Sequence, residues 1–265
     1  MQTNPYPKFI ESLGMARLAG KLLPDLSGAD RPLGEAQGYV AQAALAAWFQ
    51  NNGQGEIAGY KVGATTEAMQ NYLGVKTPAY GHIMSKNVFS AGARFPAKTL
   101  CKIGVECELA IIIGPEFPSS DHLWTRNDLV QFVDAIAPAI EIVENRYDDF
   151  RSSGIGTLIA DDFFHRACVL GERVKDFQRI DRPEISARVL IDGEEAEKGI
   201  GAAVLGDPLE AVVWLTKIFR GQGRTLKAGE IVLTGSMTPV KWIDNFPTRV
   251  DVKLTNVGSC SVELF

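Results

Sequence analysis

Val105-Glu106-Cys107-Glu108-Leu109-Ala110-Ile111-Ile112-Ile113 is an apolar run interrupted twice, two residues apart, by a carboxylate. Such a run predicts a strand built for burial, and a strand sends alternate side chains to opposite faces, so Glu106 and Glu108 point the same way. Two ionised carboxylates on that surface repel each other, and each costs roughly several kcal/mol to desolvate. The arrangement persists where a cation sits between them or a proton is shared. A hard divalent ion with oxygen ligands, Mg²⁺ or Mn²⁺, is the first candidate. The alternative, a solvated strand face with two exposed acids, carries equal weight on spacing alone.

A third acid stands in a similar setting in Pro138-Ala139-Ile140-Glu141-Ile142-Val143-Glu144-Asn145-Arg146. Glu141 would complete a three-carboxylate site. Glu144 competes with it, but nearer the loop it is expected to meet solvent or Arg146. Three carboxylates and no imidazole suit octahedral Mg²⁺ or Mn²⁺ with positions left for water and substrate. Lys61, in Gly59-Tyr60-Lys61-Val62-Gly63, is a lone cation on a short apolar run whose glycines permit close approach of a ligand or another backbone. It reads either as a snorkelling surface lysine or, beside a carboxylate site, as an acid/base group or anion anchor. Asp161 and Asp162 lie at the end of another run. Thr234-Gly235-Ser236-Met237-Thr238 reads as a plain turn or as a loop holding a substrate carboxylate.

The bulk properties are those of an ordinary globular protein: 265 residues, 46% hydrophobic, 22% charged. A net charge of −5 gives no electrostatic reason to expect nucleic acid or an anionic membrane as partner. No apolar stretch of transmembrane length and no secretory signal pattern is present, so a cytoplasmic location is expected. The four cysteines are scattered and are expected to be buried free thiols; the three histidines are far apart, which argues against zinc. Neither a dinucleotide nor a P-loop glycine pattern is completed, and no serine-hydrolase elbow occurs.

Along the chain, Lys8–Leu23 (ended by Pro24) and Glu35–Gln50 predict helices. Thr125-Arg126-Asn127-Asp128 supplies caps for a further helix over Leu129–Ile136, with Pro138 at its far end. Asp207-Pro208 opens a fourth, and Leu190–Glu194 reads as a hairpin turn. Strands are predicted at Ile57–Val62, Ile103–Ile113, Ala139–Val143, Ala167–Leu170, Ile185–Ile191, Ile231–Thr234, Arg249–Leu254 and Ser259–Leu264. The division expected is a helical N-terminal layer, residues 1–55, on a β-rich catalytic body, residues 56–265.

Several stretches occur together and in order: Gly-Tyr-Lys-Val-Gly-Ala-Thr-Thr (59–66), Leu-Gly-Val-x-x-Pro-x-Tyr-Gly (73–81), Val-Glu-Cys-Glu-Leu-Ala (105–110), Pro-Ala-Ile-Glu-Ile-Val-Glu-Asn-Arg (138–146), Ile-Ala-Asp (159–161), Leu-Lys-Ala-Gly-Glu-Ile-Val-Leu-Thr-Gly-Ser (226–236) and Val-Gly-Ser-Cys-Ser-Val (257–262). With them the chain resembles the 2-keto-4-pentenoate hydratase and 4-oxalocrotonate decarboxylase family of the fumarylacetoacetate hydrolase superfamily. The resemblance implies an α+β fold, a mixed β-sheet roll with a helical N-terminal part, in a homo-oligomer. It implies that Glu106, Glu108 and Glu141 bind Mg²⁺ or Mn²⁺, that Lys61 is the active-site lysine, and that Thr65, Ser236 and Thr238 line the pocket of a small 2-oxo acid substrate. The reaction implied is hydration of a 2-hydroxy-2,4-dienoate to a 4-hydroxy-2-oxo acid, with decarboxylation of a 2-oxo-enedioate as the alternative.

Two departures from the family pattern bear on the reaction. Pro78-Ala79-Tyr80-Gly81 has alanine where hydratases usually carry an aspartate, which leans towards decarboxylation. The family's Ala-Asp-Asn-Ala-Ser becomes Ala160-Asp161-Asp162-Phe163-Phe164, with His165 next. Asp162 or His165 is then the replacement expected for the missing proton carrier, and Phe163 and Phe164 either fill the core or narrow the pocket towards a less polar substrate tail. Hydrolysis of a C–C bond in an acylpyruvate or a diketo acid ranks third, because such enzymes generally use a His–Glu arrangement and no histidine is expected near the Glu106–Glu108 strand.

Overall fold

The alternation in residues 105–113 is realised as the greater, C-terminal part of a long strand, and the architecture is organised around it. The computed structural model describes residues 5–23, 30–118 and 122–265. Two helices come first, α1 (Pro7–Ala19) and α2 (Glu35–Asn51). Gly20, in the left-handed region at φ 62°, ends α1 before the expected Leu23; Pro24 lies outside the described residues. Next come β1 (Ile57–Gly63), α3 (Glu67–Leu73), β2 (Ala79–Met84), β3 (Val88–Ser90), β4 (Ala93–Phe95), β5 (Lys102–Ile113), α4 (Arg126–Leu129) and β6 (Val133–Asn145). The rest of the chain forms α5 (Phe150–Ser153), α6 (Ile155–Ala160), β7 (His165–Leu170), β8 (Ser186–Ile191), β9 (Glu194–Ile200), α7 (Leu209–Gly221), β10 (Ile231–Ser236), β11 (Lys241–Ile243), β12 (Thr248–Leu254) and β13 (Gly258–Leu264).

One mixed sheet runs in the order β2-β1-β10-β5-β6-β7-β3, with β11 also pairing β5; a second runs β4-β13-β12-β8-β9. The odd residues of β5 (Val105, Cys107, Leu109, Ile111) enter the main core with Val250, Val252, Val262 and Leu264 of the second sheet. The even positions Ala110 and Ile112 join a separate cluster with Ala135, Ala137, Ala139, Cys168 and Leu233 on the other face, the face that carries Glu106 and Glu108. Period-two alternation thus separates the packing surface from the chemical one. The cysteines are free, and three of them are buried. Among the described residues no helix is long and apolar enough to cross a membrane.

The helix expected over Leu129–Ile136 is a correction. The Thr125 side chain does cap α4 in a reciprocal box with Asp128, but the helix stops at Leu129 and Val133–Ile136 are the start of β6. Val133, Ala135 and Ile136 supply apolar side chains to the clusters on both faces of a covered strand, which overrides the local start signal. Pro138 sits inside that strand where the β7 ladder loops away, with Gly171 N–H donating to its carbonyl. The polar strand β9 (Glu-Glu-Ala-Glu-Lys-Gly-Ile) escaped the pattern because it is a sheet edge, where charges replace alternation. The Asp192-Gly193 turn between β8 and β9 has both residues at positive φ, as a two-residue hairpin requires.

Gly59 shows why glycines flank Lys61. It pairs with Ile231 of β10 at such close range that a Cβ would overlap the Ile231 carbonyl and amide. Gly59→Ala is expected to push β1 off β10 and cost about 3 kcal/mol, read as a lowered denaturant midpoint.

Candidate metal centre and active site

The three glutamates meet because of register. Glu106 of β5 stands directly opposite Glu141 of β6, and Glu108 is the diagonal neighbour on the same face. One carboxylate oxygen from each lies within 4.8 Å of the others. Glu108 and Glu141 are fully buried, and Glu106 is partly exposed. Like charges paired directly across strands destabilise a sheet, so this face needs a cation.

Lys61 supplies part of that need. Through β10 it lies on the same face, Lys61 opposite Leu233 and Leu233 opposite Ala110, the next residue of β5 on that face after Glu108. Its Nζ is 3.4 Å from Glu141 Oε1 and its side chain is 5% exposed, which decides against a snorkelling surface role. Burial alone would discharge it, but Glu141, Glu106 and Glu108 together raise its pKa, so it stays an ammonium.

His165 lies at the start of β7 with its Nδ1 2.7 Å from Glu141 Oε1, both side chains completely buried. This overturns the expectation that no histidine stands near the carboxylates. The two residues are 24 apart in sequence, and the antiparallel pairing of β6 with β7 joins them. Burial lowers the His165 pKa although Glu141 opposes it, so the ring is neutral. For Glu141, burial pushes the carboxyl up, but Lys61 and the hydrogen bond from His165 more than reverse it, leaving it ionised. The ring proton therefore sits on Nδ1, and Nε2, which has no partner, presents a lone pair.

The other two acids behave differently. Burial, with Glu141 nearby, pushes Glu106 up to about 7 and Glu108 well above the usual range. Glu108 Oε2 accepts the Gly235 N–H at 2.8 Å, whereas Glu108 Oε1 and Glu141 Oε2 have no hydrogen-bond partner. Buried carboxylate oxygens without donors, converging from three strand positions, fit a divalent cation. Three carboxylates, one ammonium and a divalent ion sum to zero charge. A bound ion must displace the protons held by Glu106 and Glu108, so affinity for Mn²⁺ is expected to rise with pH through the region of about 7 in which Glu106 loses its proton. Below that region it should fall by about tenfold per pH unit for each proton displaced. Calorimetry in buffers of different ionisation enthalpy counts those protons.

Thr65 lies on the rim of this cluster. A Cβ on Gly235 (φ 111°) would collide with the Thr65 side chain, so glycine brings Thr65 against the residue whose amide holds Glu108. Ser236 pairs with Glu108 in the β10–β5 ladder, but its Oγ donates to the Thr238 carbonyl at 2.8 Å, and Thr238 Oγ1 donates to the Pro239 carbonyl. Ser236 and Thr238 thus brace the turn after β10.

Asp162 is placed at the rear of the site. Its Oδ2 accepts from Arg17 at 2.7 Å and its Oδ1 from the His82 N–H at 2.8 Å, with His82 Nδ1 at 3.4 Å. Although burial opposes ionisation, His82 and Arg17 hold this carboxyl far below the usual range. Asp162, Phe163 and Phe164 are consecutive at φ 52°, 51° and 67°, a left-handed turn costing about 1–2 kcal/mol per non-glycine residue. That turn carries the Phe163 ring to 5.9 Å from Lys61 Nζ, in an apolar cluster with Ala64 and Ala79. Glu144 points away from the site and does not meet solvent: buried, it pairs with Arg146 at 3.0 Å and accepts the Cys101 N–H, while Arg146 also grips Asp161 at 2.8 Å.

Sequence reasoning missed the Gly235 amide, Arg17 and His82. Arg17 left one readable trace, an arginine on the stripe Ile10, Leu13, Gly14, Arg17 that α1 buries.

Residues 65–264 match the fumarylacetoacetate (FAA) hydrolase C-terminal family, and the chain belongs to that family. It is 32% identical over 205 residues to 2-keto-4-pentenoate hydratase 1 of Dechloromonas aromatica (strain RCB), covering 77% of this chain and 76% of that protein. It is 28% identical over 210 residues to 4-oxalocrotonate decarboxylase of Pseudomonas putida, covering 78% of this chain and 76% of that one. In three dimensions it is similar to 4-oxalocrotonate decarboxylase from Pseudomonas putida G7 complexed with magnesium and adipate, at a TM-score of 0.86 and 22% identity. The likeness spans 100% of this chain and 99% of that chain, which bears out the expected α+β roll with a helical N-terminal part. Lys61 and both N-terminal helices precede the family match.

Proposed function

We propose that this chain is a metal-dependent hydratase, converting a 2-hydroxy-2,4-dienoate into a 4-hydroxy-2-oxo acid with Mg²⁺ or Mn²⁺ held by Glu106, Glu108 and Glu141. The observation that carries the reading is the convergence of these three carboxylates, two with unpartnered buried oxygens, on the charged Lys61. Kinship with named hydratases supports it.

A divalent ion at this position, when bound, supplies Lewis acidity to the carboxylate and 2-oxygen of a 2-oxo acid. Lys61, kept cationic by its acidic neighbours, stabilises negative charge growing on the substrate oxygen during tautomerisation and donates a proton. His165, neutral and oriented by Glu141, offers Nε2 as the acceptor that Ala79 cannot provide. Burial of Lys61, Glu108, Glu141 and His165 keeps bulk water from these groups, so each acts at low dielectric. Thr65 borders the substrate space, with Ser236 and Thr238 shaping its floor. Asp162 serves by holding the turn that carries Phe163. Residues 1–55 act as a helical layer on a catalytic body of residues 56–265, and the working assembly is a homo-oligomer in the cytoplasm.

Decarboxylation of a 2-oxo-enedioate is the second reading. Ala79 favours it: the side chain packs with Phe163 in an apolar cluster and cannot itself activate water. Against it, the same apolar wall suits a short uncharged tail better than a second carboxylate. The test is to incubate Mn²⁺-loaded protein with 2-hydroxypenta-2,4-dienoate, 2-oxohex-3-enedioate and an acylpyruvate. Dienoate absorbance, CO₂ and pyruvate are measured separately. Loss of dienoate without CO₂ or pyruvate is expected. CO₂ release alone would transfer the assignment to the decarboxylase, pyruvate release to a hydrolase, and no turnover would refute all three.

A further inference from the structure

Arg17 takes no part in the chemistry above, yet it is the charged residue that helix α1 buries, 2% exposed, at the end of that helix's apolar stripe. Its guanidinium crosses to the segment between α6 and β7. There Nη1 donates to Asp162 Oδ2 at 2.7 Å and Nη2 to the His165 carbonyl at 3.1 Å, with Asp161 Oδ1 at 3.7 Å from Nη1. The Arg17 carbonyl in turn accepts from Arg166 Nη1 at 2.6 Å, and the guanidinium lies 4.7 Å over the Phe49 ring of α2. One residue of α1 is thus fastened to Asp161 and Asp162 on one side of the left-handed turn and to His165 and Arg166 on the other.

We propose that Arg17 is a positioning residue for the active site: it clamps the Asp162–Phe164 turn and the first residue of β7, so that His165 stays aligned on Glu141 and Phe163 stays against Lys61. Three successive non-glycine residues at positive φ do not hold that shape unaided, and the surroundings must over-determine it. Asp162 fixes the front of the turn through His82 and Arg17, and Arg17 also fixes its rear by donating to the His165 carbonyl. A planar fork suits this duty, since it meets a carboxylate and a carbonyl at fixed angles while staying charged. The His165 ring and the His165 carbonyl belong to one residue, so releasing the carbonyl frees the ring to turn away from Glu141. The helical layer thereby becomes part of the catalytic assembly, although it lies outside the family match at 65–264. The inference rests on the metal reading of the carboxylates and not on which 2-oxo acid is turned over.

The test uses full-length protein labelled with ¹⁵N in its three histidines, His165 being assigned by its loss in H165Q. In the wild type the His165 resonances are expected to report a single tautomer protonated at Nδ1. In R17A they should move towards tautomer-averaged positions, and Mn²⁺ affinity, measured by calorimetry, should fall about tenfold, the scale of losing an outer partner of a metal ligand. Added guanidinium ion at low concentration should restore both. R17K, which keeps the charge but not the fork, should shift both readings in the same direction by less, and it decides the matter if R17A does not fold. A folded variant of lower thermal stability with unchanged His165 resonances and unchanged Mn²⁺ affinity would reduce Arg17 to a structural role and overturn the proposal. Failure of the wild type to bind Mn²⁺ would instead refute the metal reading, while the resonances would still test the clamp.

Discussion

Glu108→Gln is expected to weaken Mn²⁺ binding by more than about a hundredfold, beyond the upper end of what removal of an outer-shell partner costs. The amide keeps the side chain's size and can still accept the Gly235 N–H, so the loss isolates the charge. The same substitution should make the metal-free protein more stable. Glu108 is buried with its carboxyl pushed well above the usual range by desolvation and by Glu141 and Glu106, so above the ordinary carboxylate value the folded state keeps a proton that the unfolded chain has released. For an acid raised in this way, the native state binds more protons than the unfolded one, and stability falls as pH rises from the ordinary carboxylate value towards the folded one. Glutamine removes that dependence. A rise in metal-free thermal midpoint together with lost Mn²⁺ binding is the expected pair. Unchanged affinity would remove Glu108 from the ligand set.

Lys61→Met should divide the functions of the site differently. Turnover is expected to fall about 10²- to 10⁴-fold, the range for losing a positioned proton-transfer group. Mn²⁺ affinity should not fall, because Lys61 is a cation 3.4 Å from Glu141 and competes for the same carboxylate. Steady-state assays at saturating Mn²⁺ and a parallel binding titration separate the two effects. Loss of metal affinity in step with turnover would mean that the lysine only holds Glu141 in place.

The strands that make the site were legible because their chemistry is periodic. Alternation over 105–113 set the direction of Glu106 and Glu108, and the apolar setting of Glu141 pointed to the third acid, since a strand covered on both faces keeps a carboxylate only for a reason. Element limits were harder to read where local and distant forces disagree. The Thr125–Asp128 cap starts a true helix, but the burial of Val133–Ile136 beside β5 decides the fate of the residues beyond it. Long-range partners left the weakest trace. His165 meets Glu141, and Arg17 meets Asp162 across 145 residues, through sheet order and helix docking that no local spacing encodes. Asp162 looked like a proton carrier for the same reason, since its ion pair is invisible from its neighbours in sequence.

The position of β10 has a consequence for how the protein comes into being. Strand β10 is wedged between β1 and β5, in parallel with a strand from the first quarter of the chain, and Gly235 supplies the amide for Glu108. Such non-local pairing is slow to form, and a nascent chain cannot join the lysine row to the glutamate row until residues 231–236 have left the ribosome. Glu106, Glu108 and Glu141 meet earlier, through the β5–β6 pairing, so joining Lys61 and the Gly235 amide to them is expected to be the late event in biogenesis. Chains stalled upstream of β10 should emerge with Glu108 lacking its Gly235 donor and the edges of β1 and β5 open to aggregation.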